Sequence, residues 1–61
     1  MANLTTKELS ALEDQLGFEH TCVTKYQAAS QETTETALQN CYNRFASQHQ
    51  QNFNTLLGFL K

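Results

Sequence analysis

Apolar and aromatic side chains recur at alternating intervals of three and four along almost the whole chain, and the pattern breaks once. Leu9, Leu12, Leu16, Glu19, Val23, Tyr26 and Ser30 fall on one helical face, and Leu38, Tyr42, Phe45, His49, Asn52, Leu56 and Phe59 repeat the spacing toward the C-terminus. Between them, Gln31-Glu32-Thr33-Thr34-Glu35-Thr36 loses the pattern and is rich in side chains that compete for backbone hydrogen bonds. No proline interrupts either stretch. The spacing predicts an all-α chain forming one domain over 1–61, with helices at 6–31 and 36–60 and a turn at 32–35. A connection so short between helices of about 25 residues favours an antiparallel hairpin.

The start of the first helix is spelled out. Thr5-Thr6-Lys7-Glu8 fits a capping box, with Leu4 and Leu9 placed as a hydrophobic staple, and Thr33 or Thr34 is the candidate N-cap of the second helix. Gly17 costs roughly 1 kcal/mol against alanine but lies off the apolar face.

Sixty-one residues limit how much can be buried. A chain of this length hides only about 60% of the surface its unfolded form exposes. Two helices cover one face each, yet Phe18 and Cys22 flank the first stripe and Cys41, Phe53, Leu57 and Leu60 widen the second. The surplus predicts a homodimer in which two hairpins form a four-helix bundle. Its core and dimer seam would consist of Leu9, Leu12, Leu16, Val23, Tyr26, Leu38, Tyr42, Phe45, Leu56 and Phe59.

Composition excludes several classes of function. Lys7, Lys25, Arg44 and Lys61 are scattered and the net charge is −2, which argues against nucleic acid as a partner. No stretch reaches the ~18 apolar residues of a membrane span, and the N-terminus lacks a basic flank and signal segment, so the chain is expected to be soluble and not exported by the general route. Cys22 and Cys41 are too few for a disulfide framework and lack the Cys-x-x-Cys spacing of redox or zinc sites.

Three residues break the apolar seam: Glu19, His49 and Asn52. With the turn centred near 33 and 34, residues facing across the hairpin have numbers adding to 67 or 68, which sets Glu19 level with His49. A buried carboxylate must be paired, protonated, metal-bound or turned outward. One reading is a hydrogen-bonded ion pair that fixes register. Another is a divalent metal held by Glu19 and His49 of both chains of a dimer. His20, about 100° round the helix from Glu19, reads as a surface histidine. Tyr26, seven residues beyond Glu19, could offer its hydroxyl to the polar layer.

Leu16-Gly17-Phe18-Glu19 with Tyr26 resembles the first helix of ferritin-like and rubrerythrin-like bundles, and Ala46 to Leu57 resembles their Glu-x-x-His helix, with His49 at the Glu position and Asn52 at the His position. Met1 to Leu9 together with Ala46 to Leu57 look most similar to the short spore coat protein F-like chains of spore-forming Firmicutes, which are half-length ferritin-like proteins. The resemblance implies a ferritin-like dimeric bundle with a structural role and no established catalytic activity. It further implies synthesis in the cytoplasm, a place in the spore coat, other coat proteins as partners and no required cofactor.

Overall fold

The computed structural model describes residues 3–60; Met1, Ala2 and Lys61 lie outside the described residues. Helix α1 spans Thr6–Glu32 and helix α2 spans Thr36–Leu57, and the two pack side by side as a hairpin. A short 3-10 turn, Gly58–Leu60, follows α2. The second helix therefore stops three residues before the predicted end, where the last residues tighten into i→i+3 hydrogen bonding.

Thr5 caps α1 as its sequence dictates. Glu8 N–H donates to Thr5 Oγ1 at 3.0 Å, and Thr5 N–H donates to Glu8 Oε1 at 3.0 Å. These bonds hold the Glu8 carboxyl below its usual range, the Thr5 backbone N–H being the larger cause. The threonines inside α1 satisfy their hydroxyls locally: Thr21 donates to the Gly17 carbonyl and Thr24 to the His20 carbonyl.

The turn differs from the prediction at its cap. Thr33 terminates α1, with its backbone N–H donating to the Ala29 carbonyl, and Glu35 is the N-cap of α2 without a side-chain cap bond. Thr33 Oγ1 instead accepts from Glu35 N–H at 3.2 Å, and the Gln39 amide donates to the Thr33 carbonyl at 2.9 Å. The threonine that was a candidate cap for the second helix thus closes the corner between the two.

Only Glu19, Val23 and Ala46 are buried among the described residues. Leu12, Leu16, Tyr26, Tyr42 and Leu56 are half-buried, whereas Leu9, Leu38, Phe45 and Phe59 are exposed in the single chain, although their spacing put them in the seam. The inward line of α2 runs through Gln39, Tyr42, Ala46, His49 and Phe53, one step round from the predicted stripe. A methyl group at position 46 permits close approach of α1, and this rotation turns Leu38, Phe45 and Phe59 onto the flank.

The hairpin measures 46 × 15 × 11 Å. Its radius of gyration is 14.2 Å, against about 10.5 Å for a compact domain of this length. Its accessible surface is 4648 Å², against about 4000 Å² for a compact monomer of its mass. It is a rod with surface in excess.

Two substitutions check the local energetics by thermal unfolding. Thr5→Ala is expected to cost about 1 kcal/mol by orphaning the α1 cap, which lowers the midpoint by about 4–8 °C in a domain this small. Gly17→Ala is expected to stabilise by about 0.5–1 kcal/mol, because a Cβ there meets open space.

Candidate functional site: a carboxylate held between two helices

Glu19 sits near the middle of α1, 5% exposed, where the inward face would otherwise be apolar. Three donors converge on its carboxylate. His49 Nδ1 lies 2.6 Å from Oε1, Asn52 Nδ2 donates to the same oxygen at 3.3 Å, and Gln15 Nε2 donates to Oε2 at 2.7 Å. The structure thus brings together all three polar residues read from the seam and adds Gln15, which the three-four pattern passed over. Gln15 precedes Glu19 by four residues, the spacing at which an amide reaches a carboxylate on one helical face.

Hydrogen bonding holds the Glu19 carboxyl below its ordinary value, the bond to His49 being the largest cause; burial opposes it, and the Gln15 and Asn52 amides assist. The amides themselves are tied in. Asn52 Oδ1 accepts from Gln48 Nε2 at 3.0 Å, and Gln50 donates to Asn54 in the same i,i+4 manner on the solvent side. No buried side-chain polar atom lacks a partner among the described residues.

Aromatic rings hold the imidazole in place. Tyr26 stacks on His49 with centroids 5.8 Å apart and planes 10° from parallel, and Phe18 meets it edge-on at 6.3 Å. Tyr26 also stacks with Tyr42 at 6.0 Å and packs against the edge of Phe45 at 5.3 Å. Tyr26 therefore serves the polar layer through its ring, where the sequence reading offered its hydroxyl. His20 is exposed, with its ring 6.2 Å from Phe53. Cys22 and Cys41 are half-buried free thiols.

Within one chain, Glu19 and His49 bond each other and do not converge on a third atom. Both carboxylate oxygens are occupied by donors, and the Nδ1 of His49 is committed. Among the described residues no group of three or more His, Cys, Asp or Glu side chains is placed to hold a metal ion. No helix of the described residues is long and apolar enough to cross a membrane.

An open cleft of about 270 Å³ lies against this layer, lined by Gln15, Glu19, Asn52, Thr55 and Leu56. Comparison with known proteins adds no relative: no family model, curated protein or solved structure matches this chain.

The depressed Glu19 carboxyl fixes the sign of a pH effect. A carboxylate stabilised in the folded state contributes stability above its unfolded value and loses it as pH falls through the lower folded value. The stability difference between the native chain and Glu19→Gln is therefore expected to be full at neutral pH and to shrink as pH drops below 4.5, the ordinary value of the group. Thermal unfolding of both proteins between neutral and acid pH, followed by circular dichroism, checks this. The Glu8 cap weakens over the same window in both proteins and cancels in the difference.

Proposed function

We propose that this chain is a small assembly protein that works as a homodimeric four-helix bundle, each hairpin supplying two helices. The observation carrying the reading is the exposed apolar flank. Leu38, Phe45 and Asn52 follow one another at seven-residue intervals along α2, and Phe59 lies seven residues further, in the 3-10 turn that follows it. Gln15, one turn before Phe18, lines a cleft with Asn52 and Leu56, so Phe18 borders the same side of the hairpin.

Magnitudes support a second copy. Phe18, Phe45 and Phe59 are 57%, 44% and 51% exposed, and at about 200 Å² per ring they present about 300 Å² between them. Three side chains alone thus match the lower end of the largest apolar patch on a typical monomer, about 300–600 Å². Half-buried Leu56, Cys22 and Ala29 extend this area toward the about 800 Å² that each partner contributes to an ordinary interface.

In this reading Glu19, His49 and Asn52 fix the register of the bundle. The competing reading uses Glu19 and His49 of both chains as ligands for a divalent metal, and a metal taking Glu19 Oε1 and His49 Nδ1 would replace the hydrogen bond between them. Metal analysis separates the two: the structural reading expects a dimer free of stoichiometric metal, and one equivalent lost in Glu19→Ala and His49→Ala overturns it.

A setting in the spore coat, with coat proteins as further partners, is proposed from the resemblance of residues 1–9 and 46–57 alone. It is checked by following a tagged chain through sporulation. Recovery in extracted coat supports the setting, and exclusion from the spore removes it while leaving the dimer untouched.

Sedimentation equilibrium of the purified chain is expected to give twice 6.9 kDa. Phe59→Glu is expected to weaken the dimer at least tenfold, the effect of about 1.4 kcal/mol, without loss of helicity. A native chain that sediments as a monomer at high concentration overturns the reading.

A further inference from the structure

Glu19 has an acceptor position to spare. An ionised carboxylate accepts about four hydrogen bonds, shared equally between its oxygens. Oε1 is filled by His49 Nδ1 and Asn52 Nδ2, whereas Oε2 takes only the Gln15 amide. The remaining position is therefore on the oxygen beside Gln15, and both residues line the open cleft of about 270 Å³. The charge of Glu19 is also thinly offset. Among the described residues His49 is the one basic side chain within ion-pair distance, and it carries charge only when protonated.

We propose that the cleft binds a primary alkylammonium group: one N–H donates to Glu19 Oε2, the others donate to oxygens of the lining side chains, and the alkyl chain lies against Leu56. Those oxygens can receive it. The Gln15 carbonyl accepts no hydrogen bond among the described residues, Asn52 Oδ1 accepts one from Gln48, and Thr55 adds a hydroxyl. The inference goes beyond the dimer reading and does not rest on it.

The same walls disfavour other cations. A guanidinium grips a carboxylate through both oxygens, and Oε1 is already full. Calcium takes about six to eight oxygen ligands, and Glu19 is the only carboxylate lining the cleft. A quaternary ammonium has no N–H to give to Oε2. A neutral alcohol keeps a hydrogen bond but brings no charge to a carboxylate that is 5% exposed. The ammonium can come from a free amine or from a lysine side chain of another protein, since both present the same compact group of three donors.

Titration of the native chain with n-butylammonium, followed by NMR of the Gln15 and Asn52 side-chain amides, tests this. Saturable shifts at both amides are expected, with binding at least about tenfold tighter than for butyltrimethylammonium or 1-butanol. Gln15→Lys supplies an ammonium of the chain's own, four residues before Glu19, and is expected to abolish the saturable shift at Asn52 while helicity is kept. Equal binding of the trimethylated ion or of the alcohol, shifts that do not saturate, or undiminished binding by a folded Gln15→Lys overturns the proposal. The comparison of ligands needs no substitution, so it decides even where the variant does not fold. Nα-acetyl-lysine-N-methylamide separates the sources: binding at least as tight as butylammonium assigns a protein lysine, and binding of butylammonium alone assigns a free amine. Sedimentation of the same samples keeps the dimer apart. A dimer that binds no ammonium overturns the site and leaves the dimer standing, and a monomer that binds it does the reverse.

Discussion

Register in this molecule depends on one carboxylate. Two helices with repeating apolar faces can slide past each other by a turn and still bury similar surface, because the pattern looks alike at every step. Glu19 removes that freedom. Its three hydrogen bonds come from Gln15 on its own helix and from His49 and Asn52 on the other, and a slip of one turn would leave a buried carboxylate without its cross-helix donors. The rings of Tyr26 and Phe18 then fix the imidazole from its face and its edge. Packing, charge and register meet at one layer near the middle of the rod.

Around that layer the hairpin is thin. Two helices packed side by side form one layer with solvent on both sides. An ordinary domain covers each apolar face with a second layer. Here the rings on the α2 flank and Phe18 on α1 remain uncovered, and the accessible surface exceeds that of a compact monomer. The proposed bundle supplies the missing layer from a second copy.

Much of this was legible in the sequence, for identifiable reasons. Thr5 and Glu8 announce their cap because both bonds are local. Glu19 could be set opposite His49 because a short turn leaves little freedom in which residues face each other. The cap of α2 falls at Glu35 because Thr33 can serve either helix, and its backbone N–H bonds the Ala29 carbonyl at the end of α1 while its hydroxyl accepts from Glu35 N–H. Ala46 was passed over because spacing weighs large apolar residues, whereas the closest approach of two helices selects a small one. Gln15 was missed for a related reason: the periodic pattern registers what is apolar, and a supporting amide carries meaning only once the carboxylate it serves is known to be buried.

Among the described residues only three side chains are shielded from water, two of them on adjacent turns of α1 and one on α2. Interior packing therefore constrains very little of this sequence. The hairpin could exchange Phe59 or Leu38 for polar residues without opening a cavity, since neither is enclosed by its own chain. An apolar side chain at those positions adds little to the packing of the single chain, and its worth lies in what a second surface laid against it would cover.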